Sequence, residues 1–258
     1  MTSGVKSNDS GLCGISFSSD SPDVVVEEME RCIRGAREKN TISITNTEFM
    51  YYALRDPTIF EYARRARFCL CDGMGVVLAG VANGLRIPRF NGPVLLKKCC
   101  EFGTSRGWRH YFYGGKPGVA ERMMANLKAQ YPEMIVVGCY TPPFREIGAR
   151  EDELVLQSIR DAAPDVLWVG LGLRKQEAWI QNHIDSLDVP WLVGVGAAFD
   201  FHAGTARWAP GWIQRIGFEW LYRVCFEPRM LRRIARSFVF LIEATWRGGA
   251  KVLRRSAG

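Results

Sequence analysis

Val166-Leu167-Trp168-Val169-Gly170-Leu171-Gly172 is the stretch that decides the fold. Four consecutive apolar residues, with no polar alternation, read as a strand buried on both faces. Glycines close the run, and Lys175 to His183 follows with helical character. The same strand-then-helix unit recurs on either side. Strands are expected at 41–45, 68–71, 109–113, 134–138 and 191–195. Between them, helices are expected near 24–33, from Asn46 to Ala53, from Phe60 to Ala66, and over 73–83, 94–102, 119–130 and 151–162. Short apolar strands alternating with helices predict an α/β fold, a parallel sheet covered on both faces. In such sheets the ligand crevice lies at the carboxyl ends of the strands. Asp72, Gly114-Gly115, Gly170-Gly172 and Asp200 all follow strands and are expected to meet along that edge.

The length of 258 residues suits one large α/β domain with an appendage, and 47% hydrophobic with 24% charged residues is an ordinary globular composition. Eight cysteines occur, none in a CxxC pair, and the three histidines are not spaced as metal ligands. Reduced, buried thiols and a cytosolic setting are expected, with no metal and no cofactor. The polar, Ser- and Gly-rich residues 1–20 lack the basic and apolar regions of a secretory signal and are expected to be loosely attached. The charge is uneven. From Arg207 onward there are eleven Lys/Arg against three acids, a net +8, whereas residues 1–206 hold 23 bases and 24 acids, a net −1. That asymmetry points to a polyanionic partner.

Each strand end offers a chemistry and a bland alternative. Asp72 in Cys71-Asp72-Gly73-Met74-Gly75 is either a general base or the N-cap of the following helix. Gly114-Gly115-Lys116-Pro117-Gly118 opens a helix and suits a diphosphate, or is a plain turn. It matches neither GxGxxG nor the Walker pattern, which argues against a nicotinamide site. Gly170-Leu171-Gly172-Leu173-Arg174-Lys175-Gln176-Glu177 puts two cations at a helix start, where the macrodipole disfavours them, and so suggests an anionic ligand. Asp200, between Phe199 and Phe201, could bind sugar hydroxyls or a backbone turn, and His202 reads as structural. Toward the C-terminus, Arg229, Arg232, Arg233 and Arg236 share one helical face. The apolar run Phe238 to Ile242 is far short of the roughly 20 residues that span a bilayer. A basic amphipathic helix reads as a membrane-surface element, or as a helix packed on the body with its basic face in water.

Taken in order and spacing, these stretches resemble the WecG/TagA/CpsF glycosyltransferases, glycosyltransferase family 26. The resemblance runs from about Ile42 to Arg233. It rests on Asn46-Thr47-Glu48, Asp72-Gly73-x-Gly75-Val76-Val77, Tyr113-Gly114-Gly115-Lys116-Pro117-Gly118-Val119-Ala120, Gly170-Leu171-Gly172-x-x-Lys175-Gln176-Glu177, Val195-Gly196-Ala197-Ala198-Phe199-Asp200-Phe201-x-Ala203-Gly204, Ala209-Pro210, and Glu219-Trp220-Leu221-Tyr222-Arg223 with Glu227-Pro228-Arg229. The resemblance implies a Rossmann-like parallel-sheet single domain at 21–210, after a flexible segment 1–20, with a C-terminal helical basic appendage at 211–258. It also implies an inverting transfer, without an evident metal requirement, from a UDP-sugar to a polyprenyl-diphosphate-linked glycan acceptor in cell-surface polysaccharide or exopolysaccharide biosynthesis. Donors in different branches include UDP-N-acetylmannosamine, UDP-N-acetylmannosaminuronic acid, UDP-glucuronic acid and UDP-glucose.

By the same resemblance Asp72 is the base. Asn46, Arg89, Gly114, Gly115, Lys116, Gly170, Gly172, Lys175, Gln176, Glu177 and Asp200 are candidate substrate contacts, and Arg223 and Arg233 are the appendage arginines that reach the site. The expected location is the cytoplasm, peripherally on the inner face of the cell membrane, with the tail on an anionic surface. No nucleic acid is expected, and oligomeric state stays open. Three departures stand out. Ile44 replaces a family Thr, Arg174 replaces a family Pro, and Met230 follows Arg229 where many members pair two arginines. The rivals are a non-enzymatic membrane- or nucleic-acid-binding protein with a Rossmann-like body, and a nucleotide-dependent oxidoreductase.

Overall fold

The computed structural model describes residues 11–143, 145, 148–216, 218–226 and 230–256, with the backbone alone for 214–216, 223, 225, 226 and 247–256. In chain order the elements are α1 (Pro22–Arg34), β1 (Asn40–Thr45), α2 (Thr47–Ala53), α3 (Pro57–Arg65), β2 (Phe68–Cys71), α4 (Met74–Ala82), α5 (Gly92–Thr104), β3 (Arg109–Gly114), α6 (Val119–Gln130) and β4 (Ile135–Tyr140). They continue with α7 (Ala149–Ala162), β5 (Val166–Gly170), α8 (Lys175–His183), a 3-10 turn (Ile184–Ser186), β6 (Trp191–Gly194), α9 (Ala198–His202), α10 (Gly211–Ile216), α11 (Glu219–Phe226) and α12 (Met230–Ser256). The strands form one parallel six-stranded sheet in the order β2-β1-β6-β5-β3-β4, flanked by helices, a Rossmann-like α/β fold.

Strands β5 and β6 are buried along nearly their whole length because they are apolar throughout. Val166, Leu167, Trp168 and Val169 of β5 are fully buried, as are Trp191, Leu192 and Val193 of β6, which pair with β5 in register Val166↔Trp191 to Val169↔Gly194. Helix starts follow their side chains. Ser21 caps α1, Asn46 caps α2 and Asp56 caps α3, whose first residue Pro57 has no amide proton to leave unsatisfied.

The chain divides into two compact units. One comprises Met1–Ser19, Ile44–Asn91 and Trp208–Gly258. Its described interior includes Phe49, Met50, Val76, Phe240 and Ala244, since α12 packs on α2 and α4. Phe240 is fully buried there, which contributes about 1.5–3 kcal/mol. The other comprises Asp20–Ser43 and Gly92–Arg207, around Trp108, Tyr111, Phe112, Trp168 and Trp191.

Three local expectations differ from the structure. Residues from Gly11 on are packed rather than loose. Leu12 and Ile15 are fully buried and exchange backbone hydrogen bonds, and the Ser18 amide donates to the Cys69 carbonyl at 2.9 Å. Two apolar residues suffice to hold this stretch although its composition is polar. The glycine-rich segment after β6 contains the short helix α9. Strand β4 runs two residues beyond its expected end, with a bulge against β3 between His110 and Tyr111. Among the described residues Cys13, Cys32, Cys69, Cys71, Cys99, Cys100 and Cys139 are free thiols, five of them buried.

Candidate active site

Asp72 directly follows β2, and its amide donates to the Thr45 carbonyl at 3.0 Å. This bond extends the pairing of β2 with β1 by one residue and fixes the Asp72 main chain. Asp72 is not itself the N-cap residue of the helix that follows. The N-cap of α4 is Gly73, in extended conformation and with no side-chain hydrogen bond.

Two further candidates gather at the same strand end. A Cβ on Gly73 would lie 3.8 Å from the Asn46 Cβ, so Asn46 stands beside the Asp72-Gly73 turn. Its Oδ1 accepts the Phe49 amide at 2.9 Å as the cap of α2, which leaves its amide nitrogen as the polar group for other work. Gly75 has a tighter reason to be glycine. A Cβ there would sit 2.4 Å from the Thr47 Cγ2, so the first turn of α4 meets the first turn of α2 only without a side chain. Arg89 comes to this place through its main chain. It bridges Cys71 in parallel fashion, and the next amide, that of Phe90, donates to the Cys71 carbonyl at 2.8 Å. The Arg89 guanidinium is ion-paired with Glu219 of α11. Burial pushes the neighbouring Cys71 thiol up to about 11, and it donates to the Gly73 carbonyl at 3.4 Å. It is therefore a neutral group at neutral pH and a poor nucleophile.

Glu48 is the residue that sequence reasoning passed over. It lies in the first turn of α2 with its side chain only 8% exposed, and it accepts from Arg233 Nε at 2.5 Å and Arg236 Nη1 at 2.8 Å, both on α12. Thr47 Oγ1 and Ser237 Oγ bond at 2.7 Å in the same seam, and Arg55 pairs with Glu243 further along it. Arg233, expected as a site arginine, is thus held beside Asn46 by a carboxylate 185 residues away in sequence. Two guanidinium charges against one carboxylate leave net positive charge at the start of α2, a setting that favours an anion. This orientation corrects the expected helix face. Arg233 and Arg236 turn toward the body, while Leu231, Phe238, Val239, Ile242 and Trp246 are exposed. Arg223 belongs to α11, but its side chain lies outside the described residues, as does Arg229 altogether.

In the second unit the glycine-rich loops form a cluster of their own. Gly114 (φ 122°) closes β3, and a Cβ there would lie 2.6 Å from the Gly170 carbonyl carbon. The Gly115 amide donates to the Gly170 carbonyl at 3.0 Å, and the Phe199 ring packs on Gly170. These glycines let two strand ends and an aromatic ring touch, which by itself is a packing role. Gly118, left-handed at φ 78°, is the N-cap of α6 and leaves that helix start without a side-chain cap. Lys116 is exposed and lies 3.9 Å from Asp200, whose carboxylate also accepts from Thr205 Oγ1 at 3.1 Å.

Gln176 and Glu177 act inside the protein. Gln176 Oε1 accepts the Gly196 amide at 3.0 Å, and its Nε2 donates to Glu177 Oε1 at 2.8 Å. Glu177 Oε2 accepts the Arg174 amide at 2.5 Å. The pair fastens the loop after β5 to the loop after β6, so both side chains position main chain rather than face solvent. Lys175 is exposed, as is Arg174. Arg174 has φ 75°, a rare conformation for a residue with a side chain, and one that proline in the family position could not adopt. Gly172 (φ 83°) precedes this turn. No group of three His, Cys, Asp or Glu among the described residues could hold a metal ion.

Burial pushes the Glu177 carboxyl up to about 7. The folded state then holds its proton more tightly than the unfolded chain, so this group stabilises at low pH and the contribution is lost as pH rises from about 4.5 to about 7. His110 opposes it. Burial lowers its imidazole to about 4, so its contribution is lost as pH falls through that range. The two effects overlap in the wild type. The difference in unfolding free energy between wild type and Glu177→Gln should therefore change steadily from pH 4.5 to 7 and level off above, with a span on the order of 3 kcal/mol, and the melting temperatures should follow it. Thermal scans of both proteins at stepped pH check this, and a flat difference contradicts it.

Known proteins resemble this chain along its length. The model of the glycosyl transferase WecG/TagA/CpsF family matches residues 11–252. An N-acetylglucosaminyldiphosphoundecaprenol N-acetyl-beta-D-mannosaminyltransferase of Bacillus subtilis is 28% identical over 194 residues, covering 75% of this chain and 74% of that protein. A Staphylococcus aureus protein of the same name is 26% identical over 234 residues, covering 89% of each.

Proposed function

Because the chain belongs to the WecG/TagA/CpsF glycosyl transferase family, we propose that this glycosyltransferase moves a sugar, with inversion, from a UDP-sugar to a glycan carried on a polyprenyl diphosphate, in the building of a bacterial cell-surface polysaccharide. The observation that carries the reading is Asp72. It is a half-buried residue whose main chain is fixed at the end of β2, one position before the N-cap of α4, with Asn46 and Arg89 beside it.

In this mechanism the acceptor hydroxyl gives its proton to the Asp72 carboxylate as its oxygen attacks the anomeric carbon. The bond from that carbon to the β-phosphate oxygen breaks on the opposite face, and UDP leaves with the bonding pair. Developing negative charge on the diphosphate calls for preorganised donors. The arginines held by Glu48 at the start of α2 supply positive charge for it.

The relatives' names make UDP-N-acetylmannosamine the first donor to test, ahead of UDP-N-acetylmannosaminuronic acid, UDP-glucuronic acid and UDP-glucose. They make N-acetylglucosaminyl-diphosphoundecaprenol the first acceptor. No helix among the described residues is long and apolar enough to cross a membrane. The basic C-terminal segment would instead hold the enzyme on the inner face of the membrane, where such an acceptor resides. Acceptor-dependent UDP release with one of the four donors is the expected result, and no release with any of them overturns the reading.

A further inference from the structure

We propose that α4 and the outward stripe of α12 together form a lipid-docking face, so that the helix starting two residues after Asp72 lies in the interface of an anionic bilayer. The proposal rests on the reading that the acceptor is membrane-held. It goes beyond a basic tail by adding an element of the body and by making the contact mainly apolar.

Helix α4, Met-Gly-Val-Val-Leu-Ala-Gly-Val-Ala, carries no charged or hydrogen-bonding side chain. A helix apolar all round is ordinarily buried. Here only Val76, Ala79 and Gly80 are buried, while Leu78 and Val81 are 59% and 64% exposed. On α12 the exposed apolar residues Leu231, Phe238, Ile242 and Trp246 recur at helical spacing along one side, Trp246 being 81% exposed. The opposite side holds Met230, Arg233, Ser237, Phe240 and Ala244 against the body. The only acid of α12, Glu243, is ion-paired with Arg55. The two helices pack on each other, and Asn83 at the end of α4 donates to the Ala244 carbonyl at 3.1 Å. One continuous piece of structure therefore presents two exposed apolar rows, with Phe238 of the second row set edge-on to Trp220 of α11.

Charge chooses the occupant. Residues 207–258 carry a net +8, and Arg232 is exposed within the stripe itself. Docking a second copy through this segment would bring two strongly positive tails together. An anionic headgroup layer accepts both the apolar rows and the cations. Neither helix is long and apolar enough to span the bilayer, so the contact lies in the interface.

The test is cosedimentation with phosphatidylglycerol-containing vesicles and with phosphatidylcholine vesicles. It compares wild type, Leu78→Glu/Val81→Glu and Phe238→Glu/Ile242→Glu, with circular dichroism and melting as folding controls. All four positions are exposed, so the variants should fold. Wild type should bind the anionic vesicles, and each pair should weaken binding by about tenfold or more. Acceptor-dependent UDP release with a water-soluble short-chain acceptor should stay at the wild-type level in Leu78→Glu/Val81→Glu. That readout reports on the enzymatic reading independently of the docking face. If Leu78→Glu/Val81→Glu binds vesicles as wild type does while the α12 pair loses binding, α4 is outside the interface and the proposal fails, with the membrane-held tail intact. If wild type ignores vesicles and light scattering shows a dimer that Leu78→Glu/Val81→Glu dissociates, the face serves a second copy and the proposal is overturned.

Discussion

Asp72→Asn should fold as the wild type does and lose sugar transfer by about 10²- to 10⁴-fold, the usual worth of a positioned general base. The substitution keeps shape and size. The Asp72 main-chain amide bonds the Thr45 carbonyl, a contact that asparagine retains, and the N-cap position of α4 is Gly73. Stability should accordingly change little, while the amide can no longer take a proton from the acceptor hydroxyl. Turnover and melting temperature measured on the same preparation separate the two. Near wild-type turnover with intact folding would remove Asp72 from the chemistry.

Arg233→Ala/Arg236→Ala should have the second large effect, on both stability and activity. It leaves the Glu48 carboxylate, 8% exposed, without its two guanidinium partners. An uncompensated buried charge of this kind costs about 3–5 kcal/mol. The lower figure is the better guide, because the arginines themselves are about a third exposed and their attraction is partly screened. A fall in melting temperature of roughly 6–12 °C is expected. Transfer should fall by about 10²-fold or more as the positive charge beside Asn46 is lost. Adding Glu48→Gln to the double variant removes the stranded charge and should restore much of the melting temperature but not the activity. Recovery of both would make the seam structural only.

The centre of the sheet was legible because β5 and β6 are continuous apolar runs, the pattern of parallel strands buried on both faces. Val166 to Val169 and Trp191 to Val193 needed no partner information to be placed. Asp72 was legible as a choice between base and cap, and the structure places the N-cap position one residue later, at Gly73, a boundary no local pattern encodes. The internal hydrogen bonds of Gln176 and Glu177 were not legible for a related reason. Their density in a strand-to-helix loop signals that specific groups are needed there, not that the groups face a ligand, and in the structure they hold the Gly196 and Arg174 amides. Helical periodicity put Arg229, Arg232, Arg233 and Arg236 on one face but left open whether that face looks inward. The answer lies in Glu48, far away in sequence, whose only local mark is an acid in the first turn of a helix. Helix α9 escaped notice because five residues are too few to show a period.

The account stands or falls on Asp72 acting as base in a UDP-sugar transfer to a lipid-linked acceptor. UDP release from UDP-N-acetylmannosamine and the other three donors, with N-acetylglucosaminyl-diphosphoundecaprenol in detergent micelles, measured side by side for wild type and Asp72→Asn, tests it most directly. The expected result is acceptor-dependent release by the wild type with one donor and release at background by the folded variant. Equal release by both proteins, or none by the wild type with any of the four donors, would contradict it.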